Sequence, residues 1–211
     1  MMQDIDLREL ERKAWTTYFQ DGLIDILFGF ILLVSILSST LSNMGVPDVV
    51  RISIYVPLMF LCPVIYVAGK KFVTIPRLGL AKFGSERRAR RKKIIVGLII
   101  TQLVLLIILI LSFLKAVTSG FVTSVIVTLN ILVALSLLAY YLDYPRMYII
   151  AVLFAMTEPT YYYLQHHTNI TYIGVIAYGV PAGIILIMGI VVFSRFLRRY
   201  PLPAKEEVDA D

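Results

Sequence analysis

The separation of charged from apolar residues constrains this chain more than any other feature of its sequence. Ten Lys and Arg residues fall between Lys70 and Lys93, and Glu86 is the one acid among them. Long apolar runs lie on both sides of this basic stretch, and 59% of the whole chain is hydrophobic. Because membrane insertion keeps Lys and Arg on the cytoplasmic side, the pattern predicts a multi-pass membrane protein with one strongly basic cytoplasmic loop.

Six apolar runs have about the length, roughly 17–25 helical residues, that a bilayer core of ~30 Å requires. They cover residues 23–41, 52–68, 94–114, 121–142, 147–164 and 172–193. We therefore predict an all-α fold of six transmembrane helices. The fifth run contains Glu158 and Pro159, and if it did not cross, the basic residues near the C-terminus would move to the outer side.

The remaining segments are short and differ in character. Residues 1–21 are predicted to form an amphipathic helix at the membrane interface, since the apolar residues from Leu7 to Tyr18 recur at helical spacing. Residues 22–199 form the transmembrane domain, with the basic loop at 69–93. Residues 200–211 are predicted to be a disordered tail, because two prolines and an acidic end follow the last run.

The distribution of positive charge predicts the orientation of the chain. With both termini in the cytoplasm, all but two of the 20 Lys and Arg residues lie on the cytoplasmic side, the exceptions being Arg51 and Lys115. This asymmetry favours a cell-membrane protein with six crossings and cytoplasmic ends. The net charge of +6 is explained by these loops, so nucleic acid is not a predicted partner.

Polar residues and prolines share a depth near the middle of several predicted spans, about 12–16 Å from the nearer end at 1.5 Å per residue. They are the acid Glu158, the amides Asn130 and Gln102, and the prolines Pro63, Pro159 and Pro181. Transporters often build binding sites from broken helices and polar groups at the midplane. The same amides also serve to join helices by hydrogen bonds, so a structural layer and a ligand or proton pathway are both consistent with the pattern.

Glu158 is the residue in this layer that carries the sharpest hypothesis. A carboxylate at this depth is desolvated, which favours its neutral form, and no Lys or Arg inside a span is available as a counter-ion. Tyr161 and Tyr162 lie about one helical turn further on, within reach of a hydrogen bond. Glu158 is therefore either a ligand- or proton-binding residue or a hydrogen-bonded structural group.

The basic loop has two interpretations. Its Lys and Arg residues either set the topology alone or bind anionic lipid headgroups or an acidic protein partner, at ~1 kcal/mol for each charge near the surface. The residues that would make this contact are Arg87, Arg88, Arg90, Arg91, Lys92 and Lys93.

Two pairs of polar residues near span ends have alternative roles. Asp21 and Asp25 are one turn apart at the start of the first span, where they cap the helix, pair with the basic loop or form a cation-binding mouth. His166 and His167 are adjacent, so on a helix they point apart and form a poor metal site. We predict no metal site and no cofactor.

The sequence contains no HExxH, GxSxG, P-loop or dinucleotide-binding motif, and we predict that the protein is not an enzyme. Two function classes remain. The first is a small transporter-like or ligand-binding membrane protein that uses the midplane layer. The second is a non-catalytic accessory or regulatory subunit whose basic loop binds anionic lipid or a partner. A homo-oligomer is compatible with both.

Overall fold

The computed structural model describes residues 15–78, 85–113 and 120–202, and within these ranges it contains helices and no strands. The helices are α1 (Leu23–Asn43), α2 (Asp48–Gly69), α3 (Ile75–Leu78), α4 (Ser85–Phe113), α5 (Gly120–Leu142), α6 (Arg146–Ala155), α7 (Thr157–His167) and α8 (Ile173–Arg199). A π-helical turn, Lys70–Thr74, joins α2 to α3. The prediction of an all-helical fold is confirmed.

Four helical stretches of the described chain are long and apolar enough to cross a membrane: Trp15–Asn43, Asp48–Leu78, Gly120–Leu142 and Ile173–Arg199. The apolar part of α4 is shorter, Ile95–Ile107. The surface agrees with a membrane location, since large apolar side chains such as Phe60 and Phe72 are 71% and 70% exposed. Soluble monomers rarely expose apolar surface on this scale.

The N-terminal helix predicted for residues 1–21 lies mostly outside the described residues. Residues 15–19 are helical and lead into α1. Trp15 is buried, and its indole N–H donates to the carbonyl of Leu142 at 3.2 Å. The end of this segment therefore packs against the end of α5.

The fifth predicted run is divided into two short helices, α6 and α7, by a break at Met156. Pro159 explains the break, because it lacks the N–H that would bond to the carbonyl of Ala155 and it is tolerated only in the first turn of a helix. The Thr157 hydroxyl donates to the carbonyl of Phe154 at 2.7 Å across the break. As a result, Glu158 lies in the first turn of α7, where an acidic side chain is favoured by the helix dipole.

The centre of the bundle is the pair formed by α1 and α8, which pack against each other along most of their length. Small residues permit this approach. Gly22 has φ 90°, and a Cβ there would lie 2.7 Å from the carbonyl oxygen of Gly189. A Cβ on Gly189 would lie 2.9 Å from Asp25 Cβ. Contacts between small residues of this kind are typical of membrane helix pairs.

The other helices surround this pair. α2 lies against α1, α7 lies against α8, and α5 contacts α6 and α7, while α4 packs mainly on α5. The bundle therefore has two ends. One end holds Asp21, Lys70 and Arg146, and the other end holds Ser42 and Arg51.

Candidate functional site

A polar cleft of about 310 Å³ opens between α1, α2, α7 and α8 and reaches Glu158. Its lining consists of hydroxyl groups, one carboxylate and one guanidinium, contributed by Ser35, Ser38, Ser39, Ser42, Arg51, Tyr55, Glu158, Tyr161 and Tyr178. We call this feature the cleft. Polar residues are expensive inside an apolar bundle, so their concentration around one open space points to a site rather than to a packing solution.

The serines of the cleft form a stripe on α1. Positions 35, 38, 39 and 42 are spaced by one helical turn, which places them on one face. The Ser35 hydroxyl donates to the carbonyl of Ile31 at 3.1 Å, as serines in apolar helices often do. The Ser39 Oγ is buried and has no hydrogen-bond partner among the described residues. This oxygen is packed against α8, since a Cβ added to Gly174 would collide with it.

Three tyrosines surround Glu158. The Tyr178 hydroxyl donates to Glu158 Oε1 at 3.2 Å. The ring of Tyr161 stacks on that of Tyr178, with centroids 5.6 Å apart and planes at 30°. On the α2 side, Tyr55 lines the cleft. Both side walls of the cleft near the carboxylate are thus aromatic.

Arg51 is the cation of the cleft lining, but its charge is already matched. Its guanidinium lies 2.8 Å from Asp48 Oδ1, one turn earlier on α2. Across the residues that the structure describes, no ion pair joins Arg51 to Glu158. The carboxylate of Glu158 therefore has a hydrogen-bond donor beside it but no cation.

The other residues of the predicted midplane layer do not line the cleft. The Asn130 amide donates to the carbonyl of Thr101 at 2.9 Å and so joins α5 to α4. Gln102 is exposed on α4 among apolar side chains. Tyr162 stacks on His166, with centroids 4.1 Å apart. These residues lie at a similar depth in the bundle, but their side chains contact different neighbours. A role for them in a ligand or proton pathway remains a prediction.

A second polar cluster fills the opposite end of the bundle, and we call it the charge cluster: Asp21, Asp25, Lys70, Tyr144 and Arg146. Asp21, Asp25 and Tyr144 have no exposed surface, and Lys70 is 3% exposed. The Lys70 ammonium lies 2.8 Å from Asp21 Oδ2 and donates to the backbone carbonyl of Tyr18. These contacts make the first basic residue of the 70–93 stretch a buried partner of α1.

Two side chains of the π-helical turn reach Asp21. Lys70 and Thr74 begin and end this turn, and both side chains are buried. The Thr74 hydroxyl donates to Asp21 Oδ2 at 2.5 Å, the same oxygen that Lys70 contacts. The other oxygen, Oδ1, accepts the backbone N–H of Leu23 at 3.1 Å. Asp21 thus pairs with the basic stretch, one of the roles that its position allowed, and accepts the first backbone N–H of α1, whose N-cap residue is Gly22.

Asp25 is matched by residues from the α5–α6 connection. It accepts a hydrogen bond from the Tyr144 hydroxyl, and Arg146 approaches its other oxygen at 3.7 Å. Burial raises the pKa of Tyr144 well above its usual range, so this hydroxyl stays protonated and donates. Arg146 also donates to the carbonyl of Gln20 at 3.0 Å. The second carboxylate is therefore held less completely than the first, because Asp25 Oδ2 has an ion pair at 3.7 Å but no hydrogen bond within the described residues.

The predicted lipid-contact residues are described in part. Lys92 and Lys93 are exposed on α4. The backbones of Arg87, Arg88, Arg90 and Arg91 belong to α4, but their side chains lie outside the described part of the structure. His166 and His167 end α7, and within the described ranges no three His, Cys, Asp or Glu side chains come together as a metal site.

Sequence reasoning missed the serine stripe, Tyr55 and Tyr178, and it proposed a pairing of Asp21 with the basic loop without identifying Lys70 as the partner. The stripe had a signal, since four serines at helical spacing in one apolar run mark a polar face. The tyrosines and Lys70 had none, because their partners lie on other helices. No family model, curated protein or solved structure matches this chain, so the geometry described above is the basis for a functional conclusion.

Proposed function

We propose that this protein is a small transporter-like membrane protein that binds a polar ligand in the cleft, with Glu158 as the principal binding residue. The observation that carries the proposal is the open polar cleft of about 310 Å³ that reaches this carboxylate. Ligand pockets begin at about 300 Å³, so the ligand is small.

The broken fifth run supports this function. Glu158 lies at the start of α7, directly after the interruption at Met156, and faces a space that solutes can enter. Transporters place discontinuous helices at their binding sites because a helix break exposes backbone and side-chain polar groups at membrane depth. The charge cluster fills the other end of the bundle, which leaves the cleft open toward one side.

The proposed topology has six spans and two cytoplasmic termini, with residues 1–21 at the interface. α4 supplies the third span. α6, Met156 and α7 together supply the fifth, at about 33 Å for a rise of 1.5 Å per residue, enough for a core of ~30 Å. In this arrangement the basic stretch and the charge cluster are cytoplasmic, and the cleft opens to the outside.

The alternative is an accessory or regulatory subunit whose basic loop contacts anionic lipid or a protein partner. The exposure of Lys92 and Lys93 is compatible with such a contact. This class, however, predicts a bundle that is well packed around Glu158. The open cleft favours the ligand-binding class.

Cysteine labelling tests the proposal. In a Cys62→Ser background, Ser38→Cys should react with a membrane-impermeant thiol reagent added from outside, because Ser38 lines the cleft. Ser124→Cys is the matched control: it lies at a similar depth on α5, but Ser124 is 8% exposed and is not part of the lining. The proposal fails if Ser38→Cys is unreactive or reacts no faster than Ser124→Cys.

A further inference from the structure

The charge cluster shows which groups of this protein surround one of its own ammonium groups, that of Lys70. The Lys70 ammonium is surrounded by one carboxylate oxygen of Asp21, one backbone carbonyl and three aromatic rings. Its distances to the ring centroids are 4.4 Å for Tyr18, 5.5 Å for Tyr66 and 5.6 Å for Phe19. Within ~6 Å of a centroid, a cation is attracted by the negative face of the ring. A carboxylate and three rings thus hold one ammonium out of water.

The cleft presents the same kinds of group without the ammonium. Glu158 supplies the carboxylate, and Tyr55, Tyr161 and Tyr178 supply three rings. In the described part of the chain, Glu158 has one hydrogen bond, from Tyr178, and no ion pair. Arg51 does not take the place of the missing cation, because it pairs with Asp48.

We propose that the ligand of the cleft is a small organic ammonium cation, which pairs with Glu158 and lies against the rings of Tyr55, Tyr161 and Tyr178. This inference rests on the proposed function and names the ligand class of the same site. The serine stripe then serves the remaining polar groups of the ligand.

Other ligand classes fit the lining less well. A divalent metal ion requires about six oxygen ligands or three to four His, Cys and acidic groups, whereas Glu158 is the one carboxylate of the lining. An anion would meet Glu158 while the one cation of the lining is paired. A neutral polyol would use the serines but would leave the carboxylate of Glu158 without a cationic partner.

A binding experiment with choline tests the proposal. Its uncharged isostere, 3,3-dimethyl-1-butanol, is the control for the positive charge. The full chain is purified in a maltoside detergent, which carries no ammonium group, and binding is followed by isothermal titration. Choline should bind saturably, and the isostere should bind at least about tenfold more weakly. Saturable binding of the isostere or of glycerol with equal affinity would overturn the ammonium class.

Two sets of variants connect binding to the named groups. Glu158→Gln should weaken choline binding about tenfold or more, whereas Glu86→Gln, the same change outside the cleft lining, should leave it unchanged. Tyr55→Phe keeps the ring and should retain binding, while Tyr55→Leu should weaken it roughly two- to fivefold. Equal affinities for Tyr55→Phe and Tyr55→Leu, or for Glu158→Gln and the parent, would overturn the inference. The Tyr55 pair remains informative if Glu158→Gln does not fold.

The thiol-labelling experiment distinguishes a failure of this inference from a failure of the proposed function. If Ser38→Cys is labelled and neither choline nor tetramethylammonium binds, the ammonium class is wrong and the cleft remains a binding site for another ligand. If Ser38→Cys is not labelled, both proposals fail.

Discussion

The charge cluster and the cleft lie at opposite ends of one helix, α1, and their carboxylates have opposite surroundings. In the charge cluster, Asp21 and Asp25 are fully buried and face Lys70 and Arg146. In the cleft, Glu158 has a tyrosine donor and open space in front of it. A buried charge that is matched within the chain holds the fold together, whereas a carboxylate left unmatched beside an open space is available to a ligand.

Helix packing accounts for the difference. At the charge cluster, Gly22 and Gly189 bring the backbones of α1 and α8 together, and the π-helical turn brings Lys70 and Thr74 onto Asp21. At the cleft, α7 begins after a helix break, and side chains leave a space between α1, α2, α7 and α8 unfilled. The molecule is therefore sealed by its own residues at one end and open at the other.

Removal of the Lys70 ammonium should have the largest effect. Lys70→Met leaves Asp21 buried without its cation and should lower the free energy of unfolding by about 3–5 kcal/mol. Thermal unfolding in detergent measures the change. Lys70→Met combined with Asp21→Asn should recover much of the loss, because the unmatched charge is gone. A loss below about 1 kcal/mol for the single variant would contradict the description of this pair as structural.

Disturbing the close packing of α1 on α8 should have the next largest effect on stability. Gly22→Ala introduces a Cβ 2.7 Å from the Gly189 carbonyl oxygen at a residue with φ 90°, and it should cost about 1–3 kcal/mol of stability. Gly183→Ala is the matched control, since no atom lies within 4 Å of its added Cβ. Equal melting temperatures for the two variants would show that close approach at Gly22 does not seal this end.

Loss of the hydrogen bond to Asp25 should have an intermediate effect. Tyr144→Phe keeps the buried ring but leaves Asp25 with Arg146 alone, and the expected cost is about 1–3 kcal/mol. Chemical or thermal unfolding at neutral pH gives the value. A neutral result would mean that Arg146 suffices to match this carboxylate.

Neutralisation of Glu158 should change stability least. Glu158→Gln keeps the size of the side chain and an acceptor for the Tyr178 hydroxyl, so we expect less than about 1 kcal/mol in the absence of ligand. Unfolding of parent and variant between pH 5 and 8 measures this. A loss of stability as large as that of Lys70→Met would mean that Glu158 is a structural residue and that the two ends of the bundle do not differ in this respect.

The sequence by itself determined the helical class and the positions of the apolar helices. Apolar runs and their period are local properties, and α1, α2, α5 and α8 follow directly from them. Pro159 is a local reason for the interruption of the fifth run, since its missing N–H leaves the carbonyl four residues earlier without a partner. The same argument did not separate Pro159 from Pro63 and Pro181, which lie inside unbroken helices. The serine stripe was also readable, although it acquires a meaning only beside the residues that it faces.

Only the tertiary structure decided which polar groups meet. Depth along a helix can be counted from the sequence, and it grouped Glu158 with Asn130 and Gln102. The direction in which a side chain points depends on how the helices are rotated and paired, and here it joined Glu158 to Tyr178 and Asn130 to the backbone of α4. Lys70 illustrates the same limit, because it ends an apolar helix beside a basic stretch, yet it is buried against Asp21, 49 residues away. Such contacts arise from the close approach of α1 to α8 and from the π-helical turn after α2, which depend on residues distant in sequence and brought together by packing.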